Sequence, residues 1–462
     1  MRRDERMVRV TTRREPATVR DWSRRQILAG GVAACALPAL AAPSTALAQV
    51  RLDITRGVVE PMPIAVSPLA GDDPSLRDTG LALAEVVTAN LERSGLFRVI
   101  DRMAYIQDPE SLRETPRFAE WRPINAQALV TGVVSRPGAA DRLTIEFRLW
   151  DVFSGLEMRG MRYELAASNW RRTAHQISDV IYERLTGEPG YFDTKIVYVS
   201  QTGPKTQRVK RLAIMDQDGH DHRFLTDGGD LVLTPQIAPD GRRIAYFVLR
   251  TPKPRIMLMD LASGRSNELG QFSGMSFTPR FAPDGNQMLL TIAEGGKSDI
   301  FAFDPATRRT TQLTRTAAID TSPSFSPDGR RIVFNSDRGG SPHLYTMDRD
   351  GSNVQRISFE RGQYGSPAWS PRGDMIAFTR ITGGFFHIGV MEPDGANERL
   401  ITRSAFDESP SWAPSGRHIV FTREDPQRDR TRLFTIDSSG HNLREVATPL
   451  DASDPDWSGL LP

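Results

Sequence analysis

The 462-residue chain contains one cysteine, Cys35, and seven histidines. A single thiol excludes a disulfide framework, and scattered imidazoles leave little from which to build a metal cage or a nucleophile–base pair. There is no Gly-x-Ser-x-Gly sequence, so the strand-to-helix elbow of the α/β-hydrolases is missing. Beyond residue 42 no stretch approaches the ~20 apolar residues of a membrane span. An excess of basic charge is missing too. Residues 1–48 hold nine of the 59 basic and four of the 57 acidic residues, so the remainder carries 50 against 53, a net charge of −3. That excludes the electrostatic footprint of a nucleic-acid binder.

What is present is a repeat. Thr234-Pro-Gln-Ile, Thr278-Pro-Arg-Phe, Ser322-Pro-Ser-Phe, Ser366-Pro-Ala-Trp, Ser409-Pro-Ser-Trp and Asp454-Pro-Asp-Trp457 stand in register, with prolines spaced 44, 44, 44, 43 and 45 residues apart. A period of that length is one four-stranded propeller blade. After each of the first five heads the pattern continues as in Ser326-Pro-Asp-Gly329, Ile332-Val-Phe334, Leu344-Tyr-Thr-Met-Asp348 and Gly351. Proline fixes φ, so Ser/Thr-Pro and Pro-Asp-Gly are expected to open and close a short strand. Six heads accompany only five complete downstream triples. The unmatched triple lies upstream, at Lys195–Ser200, Arg211–Asp216 and Arg223–Thr226, while the last head has nothing after it. The economical solution has the C-terminal strand complete the first blade, which removes two sheet edges. The expected fold is an α+β N-terminal domain followed by an all-β six-bladed β-propeller closed by a C-terminal strand.

Residues 1–48 read as an export signal. An Arg-rich start precedes the apolar run Ile27–Ala42 and a small-x-small site, Ala46-Leu47-Ala48. Ser23-Arg24-Arg25-Gln26-Ile27-Leu28 resembles a twin-arginine address, with the general secretory route as the competing reading. Lipoprotein processing at Val32-Ala33-Ala34-Cys35 is a further alternative, against which the apolar run continues past the cysteine. Residues 49–60 follow as a mature N-terminal strand, 61–187 as a small α/β domain, 188–191 as a linker and 192–462 as the propeller. Within the α/β domain Asp73-Pro74 caps a helix bearing Leu76, Leu83, Val87 and Leu91. Ile64–Pro68 and Phe97–Ile100 read as strands, and 128–134, 143–152 and 158–165 as a meander. Ser168 is expected to cap a second helix with Trp170, Ala174, Ile177, Ile181 and Leu185 on one face.

Two clusters invite a metal reading. Asp216-Gln-Asp-Gly-His-Asp221 starts like a calcium loop, but its glycine falls fourth instead of sixth. The same place in other repeats reads Asp348-Arg-Asp-Gly351 and Asp437-Ser-Ser-Gly440, a pattern of hairpin turns. His220-Asp-His222 has no further ligand nearby in sequence, and neither a metal nor a cofactor is expected. The loops that enter the innermost strands carry a different signal. Met275, Phe277 and Thr278, Ile319, Asp320 and Thr321, Tyr364, and Phe406 and Asp407 fall at equivalent places around one rim. Apolar side chains there either cap the blade cores or form a protein-binding face. At the mature terminus, Val50, Leu52 and Ile54 alternate with Arg51, Asp53 and Thr55. This is a strand that belongs to the α/β domain, docks internally or adds to a partner's sheet edge.

The Ser-Pro-Ser-Phe-Ser-Pro-Asp-Gly329 repeats, the exported chain, the preceding α/β domain and the closing Asp454-Pro-Asp-Trp-Ser458 together resemble the TolB family. These are the periplasmic propeller proteins of the Tol–Pal envelope system. The resemblance spans essentially all of the chain after the leader. It implies a non-enzymatic, monomeric adaptor that binds the peptidoglycan-associated lipoprotein Pal at the propeller mouth. It further implies binding of TolA through Gln49, Val50, Arg51, Leu52, Asp53, Ile54 and Thr55, in support of outer-membrane integrity and invagination at division. A periplasmic propeller hydrolase or lyase, or a small-ligand sensor using the central channel, are the competing readings.

Overall fold

The structure, a computed structural model, describes residues 51–52, 60–138, 141–249, 254–270, 272, 274–403 and 406–462. The leader and residues Gln49, Val50, Asp53, Ile54 and Thr55 lie outside the described residues. Two compact units are formed, one from residues 51–52, 62–85 and 99–173, the other from 60–61, 86–98 and 174–462.

A mixed sheet is built from β1 (Met62–Val66), β2 (Ala70–Gly71), β3 (Phe97–Val99), β4 (Ala128–Ser135), β5 (Arg142–Asp151) and β6 (Glu157–Ala166), all of it but Phe97 and Arg98 in the first unit. Its order is β3-β1-β4-β5-β6, with β2 also pairing β4, and β1 runs parallel to β4. The expected meander is β4-β5-β6. Trp121, Leu129, Trp150 and Val152 fill the core, and the Trp121 indole N–H donates to Gln107 Oε1 at 2.8 Å. Helix α1 (Pro74–Arg93) starts where its cap was read, since Asp73 Oδ1 accepts the Leu76 N–H at 2.9 Å. Helix α2 (Trp170–Thr186) begins differently. Ser168 lies in a 3-10 turn at Ala167–Asn169, and its hydroxyl donates to Asn169 Oδ1 instead of capping the helix.

In the second unit six four-stranded sheets form the ring. The headless triple, Lys195–Thr202, Val209–Asp216 and Arg223–Phe224, takes Asp451–Trp457 as its innermost strand and forms blade 1. Ser458 locks this closure by accepting the Lys195 N–H through its hydroxyl and donating its own N–H to Lys195 O, both at 2.9 Å. Blades 2 to 6 have innermost strands Leu231–Ile237, Met275–Phe281, Asp320–Phe325, Gln363–Trp369 and Asp407–Trp412. Facing sheets pack apolar side chains between them, as Val197, Leu212 and Ile214 of blade 1 do against Ile237, Ile244 and Val248 of blade 2. Residues 188–191 are held inside this unit. Asp179 accepts the N–H groups of Phe192 and Asp193, and a Cβ on Gly190 would overlap Asp179.

The Ser/Thr-Pro heads do not open strands. They sit within the innermost strand, where the register slips by one residue as a β-bulge. The residue before each proline adopts left-handed backbone: Thr234, Thr278, Ser322, Ser366, Ser409 and Asp454 have φ between 43° and 56°. A residue preceding proline is ordinarily extended, so six equivalent departures point to a constraint from packing.

The bulge aims the residue after the proline at the next blade. Asp456 Oδ2 accepts the Ile237 N–H at 2.8 Å, and Gln236 Oε1 accepts the Phe281 N–H at 2.5 Å. Ser324 Oγ accepts the Trp369 N–H at 3.2 Å, and Ser411 Oγ the Trp457 N–H at 3.1 Å. Four of the six blade junctions are thus stitched by a side chain that satisfies an edge-strand N–H. At the other two junctions the same position holds Arg280 and Ala368, neither of which can accept. The Pro-Asp-Gly turns close as expected, with Asp240, Asp284 and Asp328 each accepting an N–H two residues on.

Ala368→Ser should restore the missing acceptor for Trp412 and stabilise the ring by about 0.5–1.5 kcal/mol, the net worth of one hydrogen bond. Chemical denaturation would read this as a higher midpoint at unchanged slope. An unchanged or lower midpoint would contradict the stitch.

Candidate functional site

All six innermost strands enter the ring at one mouth, and the hairpins joining second to third strands return there. Acidic residues head three of these strands. Asp320 is fully buried and held by both carboxylate oxygens to Arg338, at 3.0 and 2.9 Å. Asp407, also fully buried, pairs with Arg423 at 2.6 and 2.9 Å. Asp451 accepts from Arg432 at 2.6 Å and pairs with Arg208. The arginines lie over aromatic faces, Arg338 over Phe334 and Tyr345 and Arg423 over Phe434.

This sorts the expected rim residues. Tyr364 is 2% exposed, donates to Glu398 Oε1 at 2.7 Å and lies beneath Arg380, which pairs with the same glutamate. Burial raises its phenol above the usual range. Without a partner, Tyr364, Asp320 and Asp407 are thus buried in the ion-pair and hydrogen-bond networks beneath the mouth. Thr278 and Thr321 are half-buried and bond to Thr291 and Asn335 of their own blades. Ile319 is 48% exposed, Phe277 and Phe406 are half-buried, and Met275 begins the innermost strand of blade 3. The sequence reading missed Phe385 and Phe386. Phe385 is 50% exposed on the hairpin after Gly383-Gly384, and Phe386 packs against Phe406. Two adjacent aromatics at a glycine turn were the available signal. Ile319 of blade 4, Phe385 and Phe386 of blade 5 and Phe406 of blade 6 thus supply apolar side chains at this mouth, with Phe386 and Phe406 in contact. Of the mature-terminal residues only Arg51 and Leu52 are described, both outside any strand.

Inside the ring lies a cavity of about 260 Å³ lined by the heads and by the residues that follow their prolines. Burial pushes the Asp456 carboxyl up to about 6, against the lowering effects of Arg280, the Ile237 N–H and Ser411. Arg280 is half-buried and lines the cavity, and desolvation lowers its affinity for the proton despite Asp456 and Asp454.

A third constellation has metal-like spacing. His175 and the carboxylates of Asp216 and Asp218 bring their ligand atoms within 4.8 Å of one another. The protons argue against a ligand set. Asn90 Oδ1 accepts from Arg93 and Gln217, which fixes its amide orientation. Its Nδ2 therefore donates to Ser178 Oγ and to His175 Nδ1, at 3.0 and 2.9 Å. With Nδ1 accepting, neutral His175 carries its hydrogen on Nε2 and presents a proton, not a lone pair, to the two aspartates. Lys195 Nζ lies 2.6 Å from Asp216 Oδ1. The trio belongs to a closed polar network.

A family model described as the TolB beta propeller domain matches residues 182–461, and one described as the TolB amino-terminal domain matches residues 50–158. The chain belongs to the TolB family. The Tol-Pal system protein TolB of Paramagnetospirillum magneticum is 51% identical over 238 residues, covering 52% of this chain and 53% of its own. That of Pelagibacter ubique is 48% identical over 244 residues, covering 51% and 54%. The match thus spans about half the length of these curated relatives. The crystal structure of TolB from Acinetobacter baumannii superposes with a TM-score of 0.77 at 28% identity, covering 89% of this chain and all of that one. The six-bladed ring and the preceding mixed sheet are the TolB architecture. Among the described residues no helix is long and apolar enough to cross a membrane.

If the strand-head aspartates are scaffolding, Arg423→Met should destabilise the ring by about 3–5 kcal/mol, because Asp407 is left buried without its partner. Ile319→Arg, at the exposed mouth, should leave the unfolding midpoint within about 0.5 kcal/mol of wild type. Equal effects of the two substitutions in urea titrations would contradict the division.

Proposed function

We propose that this TolB-family chain is a non-enzymatic, monomeric periplasmic adaptor of the Tol–Pal system. Its propeller mouth binds the lipoprotein Pal, and its mature terminus, Gln49–Thr55, binds TolA. The observation that carries the reading is family membership along both parts of the chain, with the relatives named for the Tol–Pal system. The export signal supports the compartment. The mouth supplies what a protein contact uses: apolar anchors at Ile319, Phe385, Phe386, Phe277 and Phe406, set on a floor of buried ion pairs that fixes their positions. Alternation of Val50, Leu52 and Ile54 with polar residues supports addition of that segment to a partner's sheet edge. The same adaptor would couple inner-membrane and outer-membrane partners, in keeping with a role in envelope integrity and division. Coupling between the two binding events would be reciprocal.

Two alterations should separate the contacts. Removal of residues 49–55 should abolish TolA capture and leave Pal affinity largely intact. Ile319→Arg together with Phe385→Ala should weaken Pal by at least about tenfold, the loss of a central anchor, without lowering the unfolding midpoint. Purified Pal and TolA measured by titration calorimetry would check both. Unchanged TolA binding by the truncated chain, or unchanged Pal binding by the double variant, would overturn the corresponding assignment.

A further inference from the structure

The stitching ring fails at blade 3 in an informative way. The residues after the head prolines are Gln236, Arg280, Ser324, Ala368, Ser411 and Asp456. Four place an oxygen on the N–H of the next blade. Ser326 N bonds Arg331 O just as Ala238 N bonds Arg243 O. The Phe325 N–H therefore faces Arg280 as the Ile237 N–H faces Asp456. Arg280 is a donor, so the Phe325 N–H lacks the side-chain acceptor that Asp456 gives Ile237. Its Nη1 donates to the carbonyl of the adjacent Pro279 at 3.2 Å, and it forms no ion pair among the described residues.

Charge of the opposite sign stands two blades away. Asp454 and Asp456 of blade 1 line the same 260 Å³ cavity, with Gln236 of blade 2 between them and Arg280. They influence Arg280 through space but do not reach it. Asp456 is bonded to the Ile237 N–H and to Ser411, and Asp454 to Ser453. A guanidinium and a pair of carboxyl groups, separated across a cavity open to solvent, are complementary to a small molecule carrying both charges.

We propose that the channel cavity binds a free zwitterionic α-amino acid. Its carboxylate would sit on Arg280 and the Phe325 N–H, and its ammonium would face Asp456 and Asp454. The ligand carboxylate supplies the oxygen that Arg280 lacks, and so completes the stitch between blades 3 and 4. A carboxylate on a guanidinium plus a backbone N–H is a charge-assisted pair, the strong kind of hydrogen bond. The cavity volume is ample for a free amino acid and its bridging waters, and the lining offers a group of opposite sign to each charge on the ligand. The site lies within the ring and does not depend on which proteins dock at the mouth.

Titration calorimetry and thermal shift on the full chain with glycine, alanine and glutamate test this, with acetate and ethylamine as single-charge probes. Saturable binding of the amino acids, at least about tenfold tighter than acetate or ethylamine, is the expected result. Arg280→Gln is the decisive variant, because glutamine can accept the Phe325 N–H as Gln236 accepts that of Phe281. It should hold or raise the unfolding midpoint while weakening the amino acids at least about tenfold. Asp456→Asn keeps an oxygen for Ile237 and should also weaken them. Absence of saturable binding, equal binding of acetate and alanine, or full binding by Arg280→Gln would overturn the proposal.

Discussion

The ring depends on one backbone constraint. In every blade the residue before the head proline is forced into left-handed geometry, and the bulge this makes turns the following side chain toward the neighbouring blade. Blade faces pack through apolar side chains, which are strong but non-directional. The stitch adds direction, because an edge N–H that would otherwise be unsatisfied meets a fixed oxygen at four junctions. Closure by Asp451–Trp457 is one instance of the same device, since Asp456 reaches Ile237 and Ser411 reaches Trp457. The last strand of the chain is therefore bonded both within its blade and to the blades on either side.

The mouth inherits its order from this arrangement. Strand heads arrive at one end in a fixed register, so Asp320 and Asp407 can be buried against Arg338 and Arg423 from the neighbouring strand or hairpin of their own blades. Buried ion pairs add little net stability against a hydrophobic alternative, but they are severe on any change of geometry. They hold the floor on which Ile319, Phe385, Phe386 and Phe406 are displayed. The result is a surface rigid beneath and apolar above.

Much of this was legible in the sequence. Spacing of the head prolines fixed the blade length, and the mismatch of six heads with five triples showed that the C-terminal strand joins Lys195–Thr202. The Asp73-Pro74 cap was also visible, because capping chemistry is local. The bulge was not, because a residue before proline is ordinarily extended and only packing between blades reverses that. For the same reason the heads read as strand openings. Tyr364, Asp320 and Asp407 occupied the right loops, but their burial depends on Glu398, Arg338 and Arg423, which lie 16 to 34 residues away. Ser168 looked like a cap, yet the chain enters α2 through a 3-10 turn. Phe385 lay on a hairpin outside the heads, where the repeat gave no reason to look.

Amide hydrogen exchange resolved at single residues tests the stitch most directly. The N–H groups of Ile237, Phe281, Trp369 and Trp457 occupy the same edge position as those of Phe325 and Trp412, and differ in having an acceptor on the preceding blade. The first four should exchange at least about tenfold more slowly than the last two in the unliganded chain. Equal protection at all six positions would show that packing alone holds the blades together and would contradict the account.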